Sequence, residues 1–255
     1  MAFEIIDFHT HPFLEQGENM CFYSGTVESI SDMCADMERA GISRFAGTVL
    51  NKGDTGISGI ISSNRRALEL WDTLGEKYIP GFHIHPDFLD ESEREIKLAR
   101  ERGVRLIGEL VQYMHGYRFD HPKMHELLDC LDGGDEVISL HSADPDVADM
   151  EALAKYRPDK TFVFAHPGDL NRLPKHIEVM KRCENVYLDL SGTGLFRYGM
   201  LKQLVDSVGA ERIIFGTDYP ICNPGMYVNA VLFEKVSDKD KELIFSGNAK
   251  RLLKL

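Results

Sequence analysis

The chain has 255 residues, and its 41 acidic against 29 basic side chains give a formal net charge of -12. An acidic surface repels phosphate backbones at long range, which argues against nucleic acid as a partner, and no apolar run approaches the ~20 residues a membrane helix needs. Cys21, Cys34, Cys130, Cys183 and Cys222 are odd in number, widely spaced and without a C-x-x-C pair, a pattern of reduced thiols in a cytoplasmic protein rather than of a disulfide framework or a zinc ribbon.

The first apolar run, residues 3–8, is interrupted by Glu4 and Asp7 and follows no basic segment, so no signal peptide is expected. It leads into "HTHPF", where His9 and His11 stand one residue apart. Side chains two apart share a face of a strand, and neutral imidazole is the commonest metal ligand. Two imidazoles do not complete a metal site, so further ligands are sought along the chain. Ile30, Met33 and Met37 have helical spacing, and Gly41 closes that segment. Residues 44–50 and 78–84 form the second and third strands, with Gly75 capping the helix between them. His83 and His85 end the third strand and are expected to pack or to line a pocket.

Gly103 closes the next helix, and the fourth strand, 104–109, ends in Glu109. Asp120 precedes "HPKMHELLDCLDGG" as an expected N-cap, with Pro122 in the first turn. His121 and His125 have the i, i+4 spacing of a zincin pair, but Pro122 stands where the glutamate belongs, and both are expected on the surface. The fifth strand, 136–140, ends in His141, and the sixth, 161–165, ends in His166. Leu173, Ile177 and Met180 mark a helix on which His176 is expected to face solvent. The seventh strand, 185–190, ends in Ser191. Leu201, Leu204, Val205 and Val208 mark the following helix, capped by Gly209, and the eighth strand, 212–216, leads to Asp218.

Strands alternating with helices imply a parallel sheet. The size suits a distorted (β/α)8 barrel occupying residues 1–255 as one domain. A doubly wound sheet is the competitor, but "HTHPF" is not the glycine-rich loop that fold carries after its first strand. In a barrel the strand ends meet at one rim, which is where active sites lie. His9, His11, Glu109, His141, His166 and Asp218 would then form a nitrogen and oxygen site for zinc, with manganese or iron as alternatives, holding one or two ions.

The ordered set H-x-H on strand one, His on strands five and six, and Asp on strand eight resembles the amidohydrolase superfamily. "DFHTHPF", "FVFAHPGDL", "NVYLDLSG", "IIFGTDYPI" and "SGNAKRLL" resemble its amidohydrolase-related branch of small-acid hydrolases and aminocarboxymuconate-semialdehyde-type decarboxylases. "GFHIHPDF" and "LIGEL" look more like TatD-type deoxyribonucleases, in which a strand-four glutamate bridges two metals. The resemblance implies a metal-dependent hydrolase acting on an amide, lactone or ester. His9, His11 and Asp218 would hold the first ion, and Glu109, His141 and His166 would complete that site or build a second. Asp218 would shuttle the proton of a metal-activated water, and His166, if unligated, would stabilise the oxyanion. A nonoxidative decarboxylase, a nuclease or phosphoesterase, and a non-catalytic metal-binding barrel are the rivals. A small-molecule substrate is the expected partner, met by His85, Tyr113, Arg118 and Arg197 in the loops, and a homo-oligomer is compatible with the sequence.

Overall fold

Eight short strands pair side by side in strict chain order: β1 (Ile6–Thr10), β2 (Arg44–Gly47), β3 (Tyr78–Phe82), β4 (Leu106–Leu110), β5 (Val137–Leu140), β6 (Thr161–Phe164), β7 (Val186–Asp189) and β8 (Ile213–Ile214). Every pairing is parallel. The last strand returns to the first: Phe8 N donates to Phe215 O at 2.9 Å, and Thr10 bridges Tyr219. This is a (β/α)8 TIM barrel, seen in a computed structural model that describes residues 3–23, 25–54, 56–143 and 145–255.

Helices cross between the strands: α1 (Ile30–Arg39), α2 (Ile57–Leu74), α3 (Leu89–Arg102), α4 (Met124–Asp129), α5 (Val147–Tyr156), α6 (Leu173–Arg182), α7 (Met200–Val208) and α8 (Pro224–Phe233), then the short α9 (Asp238–Glu242) and α10 (Asn248–Leu253). Met33 and Met37 of α1, Ile177 and Met180 of α6, and Leu201 and Leu204 of α7 are buried, as their period requires. Gly103 takes the left-handed cap conformation after α3.

Two apolar clusters divide the core. The larger joins the helices to the outward faces of the strands. The smaller brings together Ile6, Phe8, Ala46, Leu106, Val137, Val163 and Ile214 with Ala249 and Leu253 of α10. Residues from opposite sides of the ring can meet only inside it, so this cluster fills the barrel. Lys250 pairs with Glu4 just before β1, and Lys254 pairs with Asp135 just before β5. Thus α10 plugs the end at which the strands begin, leaving the other end for chemistry.

Some sequence expectations are corrected. The helix after Asp120 starts later, at Met124, and its first turn has no side-chain cap. Asp120 instead accepts from Arg118 Nε at 3.2 Å. His176 is fully buried, with Nε2 2.8 Å from Ser142 Oγ. Its i+3 spacing from Leu173 puts it on the buried face of α6. All five cysteines are free. Among the described residues no helix is long and apolar enough to cross a membrane.

Candidate metal centre

At the end where the strands finish, the barrel gathers His9, His11, Glu109, His141, His166 and Asp218. His9 and His11 Nε2 are 3.3 Å apart. Asp218 Oδ1 lies 3.2 Å from His11 Nε2 and 3.6 Å from His9 Nε2. Glu109 Oε2 lies 3.2 Å from His9 Nε2 and 3.5 Å from His11 Nε2. Its other oxygen, Oε1, lies 2.9 Å from His141 Nδ1 and 3.2 Å from His166 Nε2. Ligand atoms held about 2.0–2.2 Å from one ion stand roughly 3–3.5 Å from one another. The donor set and spacing therefore fit a divalent cation.

Local backbone irregularities aim these groups. β1 carries one extra residue against β2 between Asp7 and Thr10, and β4 carries one against β5 between Ile107 and Leu110. Such bulges re-aim side chains, and these two lie at His9 and at Glu109. His166 and Asp218 adopt left-handed φ of 65° and 68°. That conformation costs a non-glycine residue ~1–3 kcal/mol and is characteristic of functional positions.

A second layer fixes the rings. His9 Nδ1 faces Asp189 Oδ2 at 3.0 Å, and His11 Nδ1 faces the Thr48 carbonyl at 3.3 Å. Ser191 Oγ lies 3.1 Å from His9 Nδ1 and 3.0 Å from His166 Nδ1. With Nδ1 so engaged, Nε2 of each ring is left for the cluster. Asp189 is also within ligand distance of His9 and His166. Its Oδ1, however, accepts from Ser191 N at 2.9 Å and from the Ser191 hydroxyl. Those bonds make it an orienting group rather than a ligand. The sequence reading missed Asp189, and the D-x-S spacing of "YLDLS" was the available signal.

Burial and charge reinforce one another here. Burial opposes charge on His9, but Glu109 and Asp189 overcome it and raise its pKa well above the ordinary value. Burial likewise opposes charge on His11, and hydrogen bonds to Asp218 and Glu109 raise it to about 9. Burial would raise Glu109, yet His9 and His141 hold it well below the carboxylate range. The buried carboxylates thus favour positive charge at the cluster.

The remaining candidates lie apart from this constellation. His83 Nε2 is 3.0 Å from Val49 O, and His85 Nε2 is 2.9 Å from His115 O, so both are tied into packing. Arg118 pairs with Asp120 and Asp149, and Arg197 pairs with Asp169. His121 pairs with Asp87, while His125 stacks on Tyr156. Tyr113 sets its ring edge-on to His141 at 5.1 Å and is mostly exposed, which places it at the mouth. His141 is the half-open member, with 18% of its side chain exposed against 4% for Glu109.

Residues 6–255 match the amidohydrolase family, and the chain belongs to it. The match runs unbroken through the middle segment that resembled TatD-type nucleases. A 72-residue stretch is 38% identical to the gamma-resorcylate decarboxylase of Polaromonas sp., covering 28% of this chain and 22% of that protein. Among solved structures, the 2,6-dihydroxybenzoate decarboxylase from Rhizobium superposes with a TM-score of 0.76 at 14% identity, covering 98% of both chains. The dihydroxybenzoic acid decarboxylase from Polaromonas sp., with bound manganese and the inhibitor 2-nitroresorcinol, gives 0.72 at 18% identity over 99% of this chain and 97% of that one. The manganese-bound 5-carboxyvanillate decarboxylase of Novosphingobium aromaticivorans gives 0.72 at 17% identity over 100% and 98%. These likenesses correct the hydrolase expectation: the relatives are aromatic-acid decarboxylases, and two of them hold manganese rather than the expected zinc. The donor set alone does not discriminate, because the same imidazoles and carboxylates suit either reaction and either metal.

Proposed function

We propose that this chain is a metal-dependent, nonoxidative decarboxylase of a small aromatic acid, of the hydroxybenzoate class, with manganese as the preferred ion. The observation that carries the reaction class is the match to gamma-resorcylate decarboxylase. The metal dependence rests on the cluster at the barrel rim.

His9, His11, Glu109, His141 and Asp218 would hold the ion. Bound there, a divalent cation supplies Lewis-acid polarisation of substrate oxygens. The bond between the ring carbon and the carboxylate breaks, carbon dioxide leaves, and a proton takes its place on that carbon. Asp218, whose Oδ1 lies 3.2 Å from His11 Nε2 beyond the end of β8, would hold that proton. His166 Nε2 donates to a substrate oxygen, with its ring held through Nδ1 by Ser191. Tyr113 forms a wall of the mouth beside His141.

The test is direct. Metal-depleted chain reloaded with Mn2+ is incubated with 2,6-dihydroxybenzoate and related hydroxybenzoates. Carbon dioxide and the decarboxylated phenol should appear in equal amounts. A fully loaded protein that releases no carbon dioxide from any of these acids overturns the reading.

A further inference from the structure

His176 stands on α6, outside the metal centre, and is wholly buried. Its Nε2 lies 2.8 Å from Ser142 Oγ and its Nδ1 3.2 Å from the Pro167 carbonyl oxygen. Ser142 directly follows His141, and Pro167 directly follows His166. The ring therefore spans the two segments that carry these histidines. We propose that His176 is a positioning residue, which fixes the separation of His141 and His166 by tying together the residues that follow them.

β5 and β6 are laddered as far as the bond from Ala165 N to Leu140 O, at 2.9 Å. Beyond it both strands have ended, and His166 turns into the left-handed region at φ 65°. The backbone before a proline is restricted, and a left-handed residue persists only where its surroundings hold it. The His176 ring supplies a further rung past that turn. His141 and His166 thus lie between a backbone rung and an imidazole rung, with His166 Nε2 3.1 Å from His141 Nδ1. The bonding also fixes the sense of the ring. A carbonyl oxygen only accepts, so Nδ1 donates to Pro167, and Nε2 of the neutral ring accepts from the Ser142 hydroxyl. Arg172, which precedes α6, adds a bond to the Ser142 carbonyl.

Packing alone does not call for a histidine here. Leu173, Ile177 and Met180 show what the same face of α6 otherwise presents to the core. A buried polar ring is costly unless its hydrogen bonds are made, and both of these are made to segments of the site. Phe164, the last residue of β6, sets its ring edge-on to the imidazole with centroids 5.9 Å apart. Without the imidazole, His141 and His166 would shift relative to each other and to Glu109 Oε1, which they both face. The inference rests on the rim cluster being a metal site, as the proposed function has it, and does not depend on the acid that is decarboxylated.

The test reads the bound ion rather than turnover. Wild type, His176→Leu, His176→Gln and Ser142→Ala are metal-depleted, checked for fold by circular dichroism, and titrated with Mn2+ under electron paramagnetic resonance. His176→Leu breaks both contacts. It should weaken Mn2+ binding about 10–100-fold, the usual cost of losing support behind a ligand, and change the line shape of the bound ion. His176→Gln sets an amide near the Nε2 position and keeps a partner for Ser142 Oγ, so it should recover most of that affinity. Ser142→Ala removes the contact on the His141 side alone and is the variant to use should His176→Leu fail to fold; it should weaken binding about 10-fold. A histidine that only packs would lower the melting temperature and leave Mn2+ affinity and line shape as in the wild type. That result in folded His176→Leu, or in Ser142→Ala if the former does not fold, overturns the proposal while the metal reading stands. A wild-type chain that takes up no Mn2+ overturns the metal reading and this proposal with it.

Discussion

Asp189 Oδ2 stands 3.0 Å from His9 Nδ1, joining the seventh strand to the first beneath the metal-facing nitrogen. Asp189 is fully buried, and His9 holds its carboxyl below the usual range against the opposing effect of burial. A carboxylate behind a ligating imidazole fixes its tautomer and raises its basicity. Asp189→Asn keeps the shape but presents an amide that can turn its NH2 toward Nδ1. The ring would then be driven to the tautomer that protonates Nε2. Manganese affinity should fall about 10–100-fold, which is the usual cost of losing such a partner. Titration of the metal-depleted variant measures it, and unchanged affinity would remove Asp189 from the site's supporting layer.

Metal removal should be visible in stability as well as in activity. An ion that binds only the folded chain stabilises it by about 2.7 kcal/mol at 100 times its dissociation constant. For a chain of this size that is a rise in melting temperature of roughly 5–10 °C. Thermal melts of chelator-treated protein, before and after Mn2+ is restored, provide the comparison. Equal melting temperatures would mean that the cluster does not bind the ion in the folded state.

Much of this site was readable because its members directly follow apolar runs. His141 comes straight after "VISL" and His166 after "FVFA", and a barrel brings such positions to one rim. Asp189 was hidden because it is itself the last residue of β7, whereas the apolar run continues to Leu190 and puts Ser191 at its apparent end. The register slips in β1 and β4 were hidden for a different reason. They exist only relative to β2 and β5, and one strand's sequence does not encode its partner's register. His176 was legible and misread, since its spacing from Leu173 already placed it on the buried face of α6. The reaction itself was not encoded in the ligands, because polarising a substrate oxygen and activating a water need the same donors.

His83 gives the fold a measurable acid sensitivity. Burial, with His115 adding to it, pushes its pKa down to about 3. Between the unfolded value of about 6.5 and that folded value, the unfolded chain takes up a proton that the native chain refuses. Stability is therefore lost as pH falls through this window, at up to about 1.4 kcal/mol per unit. His83→Gln removes the titration while keeping a side-chain donor for Val49 O. Urea unfolding of both metal-depleted proteins at pH 7 and pH 5 should show the wild type losing about 2 kcal/mol more than the variant. Parallel losses would mean that His83 ionises in the folded state.

Asp218 is the residue on which the proposed reaction turns, and its backbone selects the substitution that tests it. At φ 68° it occupies the left-handed region, where asparagine and aspartate are tolerated far better than most side chains. Asp218→Asn therefore keeps the local conformation, whereas alanine would add backbone strain to the chemical change. The amide oxygen can still face His11 Nε2, now 3.2 Å from Asp218 Oδ1, so the variant should fold and hold manganese. What it loses is a group able to carry a proton to the ring carbon as carbon dioxide departs. A positioned acid or base contributes typically 10²–10⁴-fold, so turnover should fall by about that factor. Manganese content and carbon dioxide release are measured on the same sample. Full metal content with wild-type turnover would dismiss Asp218 as the proton carrier. Loss of metal together with turnover would make it a ligand first, leaving the proton to another group at the mouth.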